Sequence, residues 1–140
     1  MMKKTEIQDF LREKGIMPSP QRVEIYKYLR DNKNHPTVDM IYKDLVQKFS
    51  SLSKTTVYNT LKFFVEHNVA IEIIIDKNEI RYDADISVHG HFYCKECKEI
   101  FDFKINTEKI IPEILKDAKL DEHHFYIKGV CGQNKLCNKD

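Results

Sequence analysis

Four cysteines and a close pair of histidines carry most of the chemistry open to this chain. Cys94 and Cys97 form a C-x-x-C knuckle, and Cys131 with Cys137 can complete a four-thiolate set of the kind that holds zinc tetrahedrally. The second pair has five residues between its cysteines, more than is usual, and 33 residues separate the two pairs. Isolated buried or redox-active thiols are the competing interpretation. His89 and His91 lie two apart in an expected strand, so both imidazoles share one face, as ligands of one metal must. Asp83 ends an earlier expected strand, Asp102 lies in a later one, and His35 falls between two expected helices. These three imidazoles and two carboxylates make a mixed donor set better matched to Fe(II) or Mn(II) than thiolates are, and zinc is compatible with it. Spacing by itself does not bring His35 or Asp83 to the cluster.

The bulk properties bound what these residues can mean. With 140 residues, the chain has the size of one domain or two small ones, which leaves little room for a large enzyme pocket. Its 23 basic and 22 acidic side chains identify neither a nucleic-acid binder nor a membrane-surface protein. Residues 1–67 nevertheless hold 12 Lys and Arg against 8 Asp and Glu, so a polyanion should prefer the N-terminal half. No apolar run is long enough to span a bilayer, and MMKKTEIQDF lacks the hydrophobic region of a signal peptide. A cytoplasmic location without membrane association is expected, where paired cysteines point to metal rather than to structural disulfides.

The elements that must position these residues are readable from period and caps. Ile7, Phe10 and Leu11 define a first helical face that Gly15 can end. Ser19 and Pro20 then open a second helix running to about Asp31. Thr37 can cap a third helix with Val38, Ile41, Leu45 and Phe49 inward, and Ser53 a fourth with Val57, Leu61, Phe64 and Val65 inward. The fourth leaves Thr55, Tyr58, Asn59 and Lys62 outward. After Asn68 the period becomes two, with Ile71, Ile73 and Ile75 alternating before a turn at 76–78 and a return strand through Ile80 and Tyr82. Helices followed by such a hairpin suggest a winged helix-turn-helix, whose recognition helix enters the major groove. Ordinary solvation of an exposed helix would produce the same polar face.

The second half predicts strands around VHGHFYCKECKEIFDF, a helix over Thr107 to Ala118 and a strand from His123 to Val130. The expected class is therefore α+β, with a winged-helix DNA-binding domain over 1–84 and an α/β metal-binding dimerisation domain over 85–140. Two-fold assembly would also match palindromic half-sites on duplex DNA.

SPQR (19–22), HPTVDMIYKDL (35–45), TTVYNTL (55–61), HGHFYCKEC (89–97) and IFDF (100–103) together resemble the ferric-uptake-regulator (Fur) family, in order over nearly the whole chain. The resemblance implies a homodimeric repressor with a structural zinc and a regulatory Fe(II) or Mn(II) between the domains, held by His35, Asp83, His89, His91 and Asp102. The residues themselves offer Cys94, Cys97, Cys131 and Cys137 as structural zinc ligands, with Cys137 either joining through a longer loop or leaving the site incomplete, and Arg22, Thr55, Tyr58, Asn59 and Lys62 as DNA contacts. Asp102, HPT and VYN make the chain most similar to the peroxide-sensing (PerR) branch, which implies His35 and His89 as the oxidation-sensitive positions. The chain departs from the family at Asn134, where a second C-x-x-C would have its cysteine, and at Val88 and Gly90, where an additional metal site would have ligands. Three functions compete: a peroxide-responsive repressor, an uptake repressor controlled by reversible occupancy with iron, manganese or zinc, and a small metalloenzyme. No H-E-x-x-H motif supports the last, so the expectation is a regulator rather than an enzyme.

Overall fold

Three of the first four helices begin where a side chain satisfies a free backbone N–H. The structure, a computed structural model, describes residues 2–132, so Cys137 and Asn134 lie outside the described residues. Helix α1 spans Lys4–Glu13, α2 Pro20–Asp31, α3 Val38–Leu45 and α4 Lys54–Glu66. Ser19, Thr37 and Ser53 cap α2, α3 and α4 by accepting from the N–H groups of Arg22, Met40 and Thr56. α1 and α4 end alike. Gly15 and Asn68 take left-handed conformations (φ 79° and 58°), and the next N–H reaches back across six residues, Ile16 to the Leu11 carbonyl and Val69 to that of Phe64. Each bond sets the exit direction of the chain.

Ile7 and Leu11, Val23, Ile25, Tyr26 and Leu29, Ile41 and Leu45, and Val57, Leu61 and Phe64 pack from the four helices into one buried core. Strand β1 (Ile71–Ile73) pairs antiparallel with β2 (Arg81–Asp83), opposing Ile71 to Asp83 and Ile73 to Arg81. The segment before α3 lies along β2 as well, because Thr37 bridges Arg81 and the Tyr82 N–H donates to the Pro36 carbonyl at 3.0 Å. Helices followed by this hairpin make a winged helix, and they constitute the first of two units, Met1–Ile86.

The second unit, Ser87–Asp140, is built on a three-stranded sheet. Strand β3 (Gly90–Cys94) lies between β4 (Ile100–Phe103), to which it is antiparallel, and β5 (Phe125–Gly129), to which it is parallel. The helix expected to run to Ala118 does not form as such. α5 covers only Thr107–Ile110, Ile111 is extended (ψ 123°), and a 3-10 turn follows at Glu113–Leu115. Pro112 is the cause: it has no N–H for the helix ladder and crowds the preceding residue out of helical backbone angles. Only Tyr93, Cys94 and Ile100 are buried apolar residues among the described residues of this unit.

Glu24, buried on α2, ties α1 and the turn after α3 to the centre of the first unit, with Lys4 at 2.7 Å and Lys48 at 3.3 Å. Burial pushes its carboxyl up, but hydrogen bonds and charge from the two lysines outweigh burial and hold it below the usual carboxylate range. A depressed folded pKa contributes stability that is present above the unfolded value and lost as pH falls through the folded one. Glu24→Gln should therefore cost about 1 kcal/mol at neutral pH, and less below about pH 4, in urea unfolding across a pH series. An equal deficit at both ends of the series would show that the ion pairs are not its source.

Candidate metal centres and DNA-reading face

The two faces of α4 are sharply divided. Val57, Thr60, Leu61 and Phe64 are buried, while Thr55, Tyr58, Asn59 and Lys62 are exposed. Hydroxyl, amide and ammonium groups at one-turn spacing are the donors and acceptors that base edges and phosphates can engage. Arg22 is placed differently from these four. Its guanidinium donates to the Met17 carbonyl at 2.9 Å and lies 4.6 Å from the Phe63 ring centre, so it braces the α1–α2 loop against α4. His67, the last residue of that helix end, donates from Nδ1 to the Phe63 carbonyl at 2.9 Å.

The cysteine knuckle is shaped by its turn. The Cys94 N–H donates to the Glu99 carbonyl, the Lys98 N–H donates back to the Cys94 carbonyl, and Lys98 takes a left-handed φ of 61°. The parallel register of β3 and β5 opposes Cys94 to Gly129, which delivers Cys131 to the knuckle across the long sequence gap. The three sulfurs all lie within 4.8 Å of one another, near the ~3.8 Å expected between thiolates around a tetrahedral zinc. Backbone N–H groups of Cys97, Cys131 and Glu96 hold the Cys94 thiol below the usual range, against the effect of burial. Burial and the neighbouring Cys94 sulfur push the Cys97 thiol up. Among the described residues, neither Cys94 nor Cys97 is part of a disulfide.

Each unit contributes histidine and carboxylate donors. In the first unit His35 Nε2 lies 3.6 Å from Asp83 Oδ2. In the second, Asp102 offers Oδ2 to His89 Nε2 and Oδ1 to His91 Nε2, each at 3.5 Å. These separations exceed a hydrogen bond of ~2.7–3.2 Å but match the ~3.4 Å between donors that share a tetrahedral metal at ~2.1 Å. Nitrogen and oxygen donors at this spacing fit a divalent first-row metal. Strand register explains the second group. His91 and Asp102 are direct partners across β3 and β4, and Tyr126 of β5 opposes His91 from the other side, its ring centre 5.9 Å away. His89 stands one residue before β3 rather than within it, and its Nδ1 donates to the Ser87 carbonyl at 2.7 Å, a bond that selects the neutral tautomer with its lone pair on Nε2.

Two features of these groups are invisible to residue spacing. His35 has a φ of 53°, an unfavourable backbone state for a residue with a side chain, of order 1–3 kcal/mol, made tighter by the proline that follows. Gly90 admits the Phe103 ring so closely that an added β-carbon would sit 2.2 Å from it, so a ligand side chain at position 90 would have to displace that ring. Val88 is exposed. His124 lies on the surface between Glu122 and Tyr126, each at 3.2 Å, and His123 stacks on Phe125.

Residues 13–128 match the profile of the Ferric uptake regulator family, FUR. The chain belongs to that family. The peroxide-responsive repressor PerR of Staphylococcus epidermidis is 32% identical over 128 residues, covering 89% of this chain and 85% of that protein. Among solved structures, the ferric uptake regulator Fur of Helicobacter pylori, reported with three functional metal binding sites, aligns with a TM-score of 0.76 at 25% identity, over 93% of this chain and 92% of its own. PerR from Streptococcus pyogenes, described in terms of peroxide sensing and gene regulation, aligns with a TM-score of 0.53 at 30% identity over the same shares, 93% and 92%. The fold is thus the family's α+β arrangement, an N-terminal winged-helix DNA-binding domain followed by a C-terminal dimerisation domain. No helix among the described residues is long and apolar enough to cross a membrane.

Protein prepared under reductant should hold one structural zinc per chain, and Cys97→Ser should reduce zinc retention at least ten-fold while lowering the melting temperature. Full zinc occupancy in that variant, by elemental analysis after dialysis, would exclude Cys97 as a ligand. On α4, Lys62→Ala should weaken binding to all duplexes alike and reduce the salt slope by about one, whereas Asn59→Ala should relax sequence preference. A Lys62 variant with the parent's salt slope would remove that residue from the phosphate contacts.

Proposed function

We propose that this chain is a dimeric, metal-dependent transcriptional repressor that releases operator DNA when hydrogen peroxide oxidises its ligand histidines. The observation that carries the proposal is the Asp102 carboxylate seated between the imidazoles of His89 and His91, one oxygen toward each. In this proposal His35 and Asp83 join His89, His91 and Asp102 around one regulatory Fe(II) or Mn(II), while Cys94, Cys97, Cys131 and Cys137 hold a structural zinc. Similarity to curated peroxide-responsive repressors over most of the chain supports the choice of signal. The mixed nitrogen and carboxylate set supports the choice of metal.

The protein's own residues would do most of the work. His35 and Asp83 belong to the winged-helix unit and His89, His91 and Asp102 to the sheet unit, so shared ligation would couple DNA reading to dimer geometry. Bound Fe(II) would supply the electron that breaks the oxygen–oxygen bond of peroxide beside the imidazoles. Overall the ring C–H becomes C–OH: one peroxide oxygen is retained on the ring of His35 or His89, the other leaves as water with the displaced ring hydrogen, and the electron lent by Fe(II) would be regained from the ring, so no other oxidant or reductant is consumed. An oxidised imidazole is a poorer donor, so the link between units weakens and the recognition helices lose their paired presentation. Exposed Ile110, Ile114, Leu115, Leu120, Ile127 and Val130 on the second unit support a partner-covered surface there. A palindromic duplex would match the resulting two-fold axis.

A second function is favoured by the greater overall likeness to the Helicobacter pylori regulator, namely an iron, manganese or zinc uptake repressor in which reversible occupancy alone controls DNA affinity. One experiment separates the two. After anaerobic Fe(II) loading and exposure to peroxide, peptides containing His35 or His89 should gain one oxygen, and operator binding should fall at least ten-fold and stay low when fresh metal is added. DNA binding that survives peroxide with unmodified histidines would falsify the peroxide proposal. Release by chelator and recovery with metal, without any mass gain, would establish the uptake repressor.

A further inference from the structure

We propose that Arg81 is a positioning residue for the regulatory metal, holding the backbone of His35 in the one conformation that presents its imidazole to Asp83. The proposal rests on the metal assignment made above for His35 and Asp83. Arg81 is 7% exposed, unusual for a residue whose charge is costly to bury. Its Nη1 donates to the His35 carbonyl at 3.1 Å and to the Asn34 carbonyl at 3.4 Å, while Nη2 meets Glu79 Oε2 at 3.4 Å. Planar guanidinium donors can fix two successive carbonyls and a carboxylate together, which a single ammonium cannot do with the same geometry.

The position of Arg81 on its strand gives these contacts their significance. Arg81 and Asp83 are two apart on β2 and share a face. Arg81 thus addresses the backbone of His35, and Asp83 addresses its imidazole at 3.6 Å. The loop needs such restraint because His35 sits at a φ of 53°. A left-handed histidine persists only where its surroundings over-determine it. Here the restraints come from Arg81, from the Thr37 bridge to Arg81 and from the Tyr82 N–H bond to the Pro36 carbonyl. Only the first depends on a side chain that can be changed without altering the ladder. Released from it, the loop could relax to an ordinary φ, and the imidazole would leave the vicinity of Asp83.

The test uses the full, zinc-loaded chain with Co(II) as a spectroscopic probe of the regulatory site. Arg81→Met should weaken Co(II) binding ten-fold or more and alter its visible absorption, with structural zinc unchanged. Hydrogen exchange of the amides in 33–37 should rise in the metal-free variant. Arg81→Lys, which keeps the charge but not the fork, should recover part of the affinity and carries the test alone if the Met variant does not fold. Parent affinity and spectrum in the folded variants, even with lowered stability, would overturn the positioning role. His35→Ala and Asp83→Ala serve as controls. If they bind Co(II) like the parent, the metal assignment fails and the proposal falls with it. If they lose it while the Arg81 variants do not, only the positioning role is lost.

Discussion

In an extended strand, side chains i and i+2 share a face, and residues directly opposite across an antiparallel pair share it too. Both donor groups depend on that constraint. On β2 it turns Arg81 and Asp83 the same way, toward the His35 loop. On β3 and β4 it faces His91 with Asp102, and the residue two before His91 is the other imidazole that Asp102 meets. A register slip of one residue would turn every one of these side chains to the opposite face. The register is held in turn by the knuckle at the end of β3, where the Cys94 and Glu99 backbone bond closes the turn into β4. The Cys94–Cys97 knuckle and the His91–Asp102 pair therefore lie at the two ends of one hairpin, and anything that loosens the first loosens the second.

The winged-helix half was largely legible because its signals are local. Ser19, Thr37 and Ser53 act as caps where their positions before apolar runs predict them, and the bounds of α2 follow from Pro20 and the end of its periodic face. The polar face of α4 needed only a 3.6-residue period. Legibility failed where one residue overrules a window. Pro112 breaks a segment whose composition suits a helix. The left-handed backbone of His35 leaves only a weak sequence mark, since histidine is enriched there but positive φ is rare for any residue other than glycine. Arg81 could have been noticed as a cation two residues before Asp83 on the same strand face, but its backbone partners are 46 and 47 residues away in the chain. Contacts of that range are set by packing and not by pattern.

The two units are stabilised by different means. The first has a core drawn from four helices, with many fully buried aliphatic and aromatic side chains. The second buries Tyr93, Cys94 and Ile100 among its described residues and exposes several large aliphatic ones. Such a unit must draw stability from ligands or from another chain. Metal ligation that creates its own site on folding is one source, and a covered apolar surface is the other.

This asymmetry bears on how a regulatory ion can act. An ion shifts an equilibrium only by the difference in its affinity for two states, about 1.4 kcal/mol for each ten-fold change in DNA binding. A ligand supplied by a rigid, well-packed element would contribute little difference, because it would be in place in either state. His35, the ligand proposed from the first unit, is of another kind. It sits on a loop whose backbone state is unfavourable in itself and is maintained by a few identifiable bonds. If that loop yields when the imidazole loses its metal, the free energy of ligation is converted into a change at the start of α3, since Thr37, two residues on, is the cap of that helix. α3 packs beside α4 in the same core, so the strained residue is linked to the polar face of α4, the one proposed to read DNA, through a single intervening helix.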